Sequence, residues 1–136
     1  MCKKFFLLTV IVIWFSGYAY AGDPRDGVWW NNLDMGQKQV YIEGVSDGIR
    51  SGAIVLSLQK TDDKKYQAMV EGSYKSFMDN YLANITSTQV SNGLDLFYAN
   101  YDNVNITAEK AFLIVLKTIH NDPEAEVREL IKTWRK

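Results

Sequence analysis

Gly44, Gly48 and Gly52 stand four residues apart inside a segment whose apolar residues otherwise follow helical spacing. Each glycine weakens a helix by about 1 kcal/mol relative to alanine, so the three together lower its stability by roughly 3 kcal/mol. Close contact with another helix is the expected compensation, because a bare backbone lets a neighbouring chain or a large aromatic ring approach the axis. The three are therefore read as helix-packing residues, and Gly48→Leu as an overpacking change that destabilises the fold. Membrane pairing is the rival reading of such a stripe, but Glu43, Asp47 and Arg50 lie among the glycines and argue against a bilayer.

The helix carrying this stripe begins near Asp34, whose carboxylate caps the chain while Gln37 reaches back as in a capping box, and runs to about Leu58. Gln37, Tyr41, Val45 and Val55 fall on or near the glycine face. A charged connector, Lys60 to Lys65, leads to a second helical pattern in Tyr66, Met69, Val70, Ser73, Phe77 and Tyr81, with Asp62 or Asp63 as its cap and Gly72 as a point of interruption. A third helix starts at Thr86, where Gln89 repeats the capping-box spacing, and shows the stripe Val90, Leu94, Phe97 and Tyr101. The polar run Asn100 to Asn105 ends it. Thr107 caps a fourth helix, in which Ala111 to Leu116 reads AFLIVL and predicts the most buried element. Asp122 and Pro123 cap and open the last, with Val127, Leu130, Ile131 and Trp134 on one face and Glu124 and Arg128 spaced for an ion pair. No segment alternates as a strand does, so the expected fold is all-α, a compact bundle of about five helices.

Residues 1–21 read as a cleaved signal peptide: Lys3 and Lys4, an apolar stretch from Phe5 to Phe15, and Tyr18-Ala19-Tyr20-Ala21 with small residues at the cleavage positions. Residues 22–33 form an extended lead-in, with Trp29 and Trp30 tacking it down, one ring on the core and the other over its edge. Residues 34–136 form a single helical domain. Cleavage leaves 115 of the 136 residues, removes Cys2 and takes the formal charge from −1 to −3. A cysteine-free domain of this size folds on its apolar core alone. No basic stripe points to nucleic acid, and the expected location is the periplasm or the exterior, with no stable membrane insertion after cleavage.

Catalytic chemistry finds little support. His120 is the one histidine in the chain, at the end of the fourth helix, where its role is to lie near the last carbonyl groups. A single histidine and no mature cysteine supply neither an activated nucleophile nor a zinc set, so no metal, no cofactor and no enzymatic activity are expected. Asp102, Asn103 and Asn105 lack the glycine and distal glutamate of a calcium loop. Paired carboxylates for glycoside hydrolysis are the third possibility, and Asp47 is the acid whose neighbours suggest partial burial. The turn around Tyr101, Asp102, Asn103 and Asn105 is the candidate partner-binding surface, since it joins two helices and sets one aromatic among small polar groups. The same residues also read as an ordinary turn, with Tyr101 covering the core.

The string Tyr41-Ile42-Glu43-Gly44-Val45-Ser46-Asp47-Gly48 resembles the Y-I-x-G-x-x-D segment of the Rap1a/Tai family of type VI secretion immunity proteins. The later run GLDLFYANYDNVNITAEKAFLIVLKTI is similar in layout to the second half of that family, and the chain also resembles small exported helical proteins of unassigned function that end in an acidic helix and Trp-Arg. Members usually carry cysteines that staple the helices, which the mature chain lacks. The resemblance implies an all-α periplasmic protein that binds another protein, a secreted cell-wall hydrolase whose active site it occludes, and that pairs with a second copy. The alternative is a structural or stress-related envelope protein with no toxin partner.

Overall fold

Capping chemistry sets most of the boundaries in the computed structural model, which describes residues 25–58 and 63–135. The expected signal peptide, Cys2, the first residues of the lead-in and the first half of the charged connector, Asp62 included, lie outside the described residues. Helices α1 (Gly27–Asn31), α2 (Met35–Leu58), α3 (Lys64–Phe77), α4 (Ser87–Ala99), α5 (Ala108–Ile119) and α6 (Glu124–Trp134) form an all-α bundle, with no strand among the described residues. A π-helical turn, Met78–Leu82, extends α3, and a 3-10 turn, Tyr101–Asn103, follows α4.

The lead-in is not extended throughout. Asp26 accepts hydrogen bonds from the Val28 and Trp29 amides at 2.9 and 3.1 Å and so caps α1. The short helix drives Trp30 into the core at 0 % exposure, while Trp29 lies half-buried at its edge. The Trp30 indole donates to Asp95 Oδ1 at 2.7 Å, and Lys38 Nζ reaches the same oxygen at 2.8 Å.

The capping box of α2 forms as the spacing predicts: Gln37 N donates to Asp34 Oδ1 at 2.8 Å, and Asp34 N to Gln37 Oε1 at 2.9 Å. Thr86 and Gln89 form the second box, at α4. Asp63 caps α3, which runs through the exposed Gly72 without a break. Thr107 occupies the N-cap of α5 but its side chain bonds no helical amide, and Pro123 rather than Asp122 occupies the N-cap of α6. The Asp122 carboxylate is engaged elsewhere. Glu124 and Arg128 pair at 3.2 Å, as their spacing predicts.

The core is built by α4 against α5, with α2, α6 and α1 packed round them. Helix α5 buries Ala108, Ala111, Phe112, Ile114, Val115 and Leu116, more than any other element described. Its crossing with α4 is tight, since a Cβ on Gly93 would lie 2.4 Å from Val115 Cγ1. Helix α2 contributes Ile42, Val45 and Ile49 to the core and then leaves it. Beyond Ile49 it pairs with α3, which buries no residue, so the two form a helical hairpin standing off the bundle. Its base is fastened by Tyr74, whose hydroxyl donates to the Ile49 carbonyl at 3.0 Å.

The glycine stripe lies on the outer side of α2. A Cβ on Gly44, Gly48 or Gly52 would meet nothing within 4 Å, so the close neighbour expected of these residues is absent from the described chain. The core takes the adjacent face through Ile42, Val45 and Ile49, because branched side chains bury more apolar surface there than glycine does. Asp47 is likewise exposed and pairs with Arg50 at 2.9 Å, contrary to its expected partial burial.

Candidate functional site

Helix α4 stops at Asn100, and the chain from there to α5 is held by its own backbone. The Asn103 amide donates to the Asn100 carbonyl at 2.9 Å, Val104 to Tyr101 at 3.1 Å and Ile106 to Asn103 at 2.9 Å. The Asn100 side chain accepts from the Asp102 amide at 3.1 Å. Two further bonds tie the turn to the bundle: the Gly27 amide donates to the Val104 carbonyl at 2.8 Å, and the buried Tyr98 hydroxyl to the Ile106 carbonyl at 2.8 Å. Burial pushes the Tyr98 phenol well above its usual range and keeps it a donor.

The four residues singled out on this turn divide into two roles. Tyr101 is 83 % exposed and does not cover the core, and Asp102 and Asn105 are also exposed. Asn103 is 4 % exposed and belongs to the interior. Its Nδ2 donates to the Phe97 carbonyl at 2.8 Å, and its Oδ1 accepts from Arg135 Nε at 3.0 Å and Nη2 at 2.9 Å. The amide thus joins the end of α4 to the end of α6. Its polar character suggested a surface contact from sequence, but three hydrogen bonds inside the fold satisfy it. The turn therefore presents one tyrosine, flanked by a carboxylate and an amide, on a pedestal pinned by Asn103.

A second cluster went unnoticed in the sequence because Tyr81 lies 41 residues from Asp122. Tyr81 donates to Asp122 Oδ2 at 2.6 Å, Lys117 Nζ reaches the same oxygen at 2.5 Å, and His120 Nδ1 lies 3.0 Å from Oδ1. Asn121, at φ 59°, makes the left-handed step that ends α5 and turns Asp122 back under it. His120 sits at the helix end as expected, and the carboxylate beside it organises the group.

Hydrogen bonds from Lys117 and then from Tyr81 hold the Asp122 carboxyl well below the usual carboxylate range. The bond to Asp122 raises both Lys117 and Tyr81 above their ordinary values. The clasp therefore contributes most between the unfolded carboxylate value, about 4, and the unfolded phenol and ammonium values, about 10. Below that window the contribution is lost as Asp122 protonates toward its depressed folded value, and above it as Tyr81 and Lys117 deprotonate. Asp122→Asn should lower stability by about 1–2 kcal/mol at neutral pH and flatten the acid limb of stability against pH. Urea melts of both proteins at neutral and acid pH measure this; an unchanged acid limb would place the pH dependence in other carboxylates.

Among the described residues no group of three or more histidine, cysteine or acidic side chains is arranged to hold a metal, and no helix is long and apolar enough to cross a membrane. No family model matches the chain, and neither a curated protein nor a solved structure does.

Proposed function

We propose that the chain is an exported protein that acts in the periplasm by binding another protein and performs no catalysis. The observation that carries this reading is the ring of Tyr101, 83 % exposed on a turn whose backbone is hydrogen-bonded on both sides. Tyrosine is enriched among the residues that dominate binding energy, and a ring presented by an ordered turn loses little further freedom when it docks. Asp102 and Asn105 supply a polar rim around it. The likeness of the Tyr41–Gly48 string to the Rap1a/Tai immunity family makes a cell-wall hydrolase toxin, blocked at its active site, the partner of choice.

The test uses the small hydrolase encoded nearest the gene and, in parallel, affinity capture from periplasmic extract. Inhibition of the hydrolase is expected, with Tyr101→Ala weakening binding by about 2 kcal/mol and leaving the helical circular dichroism intact. Asn103 is unsuited to this purpose, because its replacement unpins the turn. Full binding by Tyr101→Ala moves the interface elsewhere on the molecule.

A structural envelope role without a toxin partner is favoured by a different observation, the α2–α3 hairpin. Ile54, Val55, Leu56, Tyr66 and Met69 are exposed there, beside the open glycine stripe of α2. Such surface suits self-association. Sedimentation at rising concentration with and without the hydrolase separates the two readings: a monomer or dimer that binds the hydrolase supports the first, and an assembly indifferent to it supports the second.

A further inference from the structure

A cavity of about 260 Å³ opens between the end of α3, α5 and α6. Its walls are Phe77, Leu113, Leu116, Leu130 and Trp134, with the Tyr81 ring and the Lys117 side chain closing one end. At that end both polar groups are already committed to Asp122, so the cavity meets the lysine stem and the tyrosine ring. Lys110 does not itself line the cavity, but its Nζ stands over the ring of the lining residue Trp134, 5.9 Å from the centroid. Lys110 is exposed and makes no ion pair with any described carboxylate.

Lys110 and Lys117 lie two turns apart on one face of α5, about 10 Å along the axis. Leu113 sits between them. The site is thus an apolar slot with the Lys110 cation, paired with no described carboxylate, beside its Trp134 wall and the Lys117 cation, neutralised by Asp122, in its lining. Its volume falls below the roughly 300–1,000 Å³ of pockets that enclose drug-sized molecules, which suits a narrow chain. A ligand that fits carries one negative charge at one end and an unbranched apolar tail.

We propose that this slot binds a medium-chain fatty carboxylate, its head group at Lys110 and its tail along Leu113 toward the Tyr81 ring. This goes beyond the protein-binding reading and does not depend on it, since the slot uses none of the residues of the Tyr101 turn. The tail takes apolar surface out of water, and the carboxylate supplies the counter-charge that no described residue gives Lys110.

Decanoate, kept below its micelle concentration, is titrated into the purified protein while tryptophan fluorescence is read, with Trp134→Phe identifying the signal. A saturable change is expected, lost in Trp134→Phe and matched by heat in calorimetry. Lys110→Glu should weaken binding at least about tenfold, because a favourable charge contact becomes a repulsive one. Leu130→Trp, which fills the slot, should abolish binding while the helical circular dichroism is retained. Absence of a saturable change, equal binding of decanol and decanoate, or indifference to Lys110→Glu overturns the proposal. Binding of anionic phospholipid vesicles without binding of decanoate overturns it as well, in favour of a membrane surface.

Discussion

Trp30→Ala is expected to destabilise the fold by about 3–5 kcal/mol, the largest loss from any single truncation in this core. The ring is fully buried and packs edge-on against Tyr41 with centroids 6.0 Å apart. Its removal leaves a cavity that α1, only five residues long, has few means of filling. The indole N–H is lost as well, and Asp95 keeps only Lys38 as a partner. Domains of this kind are stable by about 5–15 kcal/mol in total, so the variant should sit near the edge of folding. Urea denaturation followed by helical circular dichroism measures the loss. Trp29→Ala, which empties a half-buried position, should cost less than half as much. Equal losses would mean that α1 unfolds as a unit in both variants.

How far the sequence discloses this fold depends on the range of the interaction concerned. Local signals were legible: the capping boxes at Asp34–Gln37 and Thr86–Gln89, the Asp63 cap and the Glu124–Arg128 pair all form at the spacings that predict them. The burial of α5 was legible for a similar reason, because the run Ala111 to Leu116 is apolar throughout and five of its six residues are buried, Leu113 alone staying exposed. Helix α1 was hidden by Gly22, Pro24 and Gly27, which read as an extended lead-in, although Asp26 carried the cap signal. Asp122 was misassigned because its position before Pro123 fits a cap, whereas its carboxylate turns to Lys117 across the end of α5 and to Tyr81, which the tertiary fold brings in.

The candidate site shows the same division. Turn chemistry between α4 and α5 could be read from the density of asparagine and aspartate, and the turn forms there. Which side chain faces outward could not. Tyr101 falls one turn beyond Phe97 on the apolar stripe of α4, so it reads both as a surface anchor and as a core residue; the helix ends before reaching it and the ring points to water. Asn103 reads as a surface amide, yet Arg135 and the Phe97 carbonyl enclose it. The Lys110 slot had no sequence signal, because its walls come from three separate segments.

The glycines offer a test in which the two levels of reading predict opposite signs. On sequence alone Gly48 is a packing residue and its replacement destabilises, whereas in the folded chain a Cβ at Gly48 meets nothing within 4 Å. None of the described glycines has a positive φ, so no conformational penalty opposes a side chain there. Gly48→Ala should therefore stabilise the isolated protein by about 1 kcal/mol through helix propensity, and the triple Ala variant at Gly44, Gly48 and Gly52 by roughly 2–3 kcal/mol. The positions where glycine is required are ones the stripe did not point to. At Gly93 a Cβ would press 2.4 Å from Val115 Cγ1, and at Gly27 it would lie 2.5 Å from the Tyr98 ring and 2.9 Å from the Val104 Cα, which as backbone has less room to move. Gly27→Ala and Gly93→Ala should each cost about 1–3 kcal/mol, with Gly27→Ala the worse of the two. Thermal melts of all four variants at low protein concentration decide the matter. Destabilisation by Gly48→Ala in a sample shown to be monomeric would mean that the outer face of α2 is packed within the chain; the same loss seen only in an oligomeric sample would place the missing neighbour in a second copy.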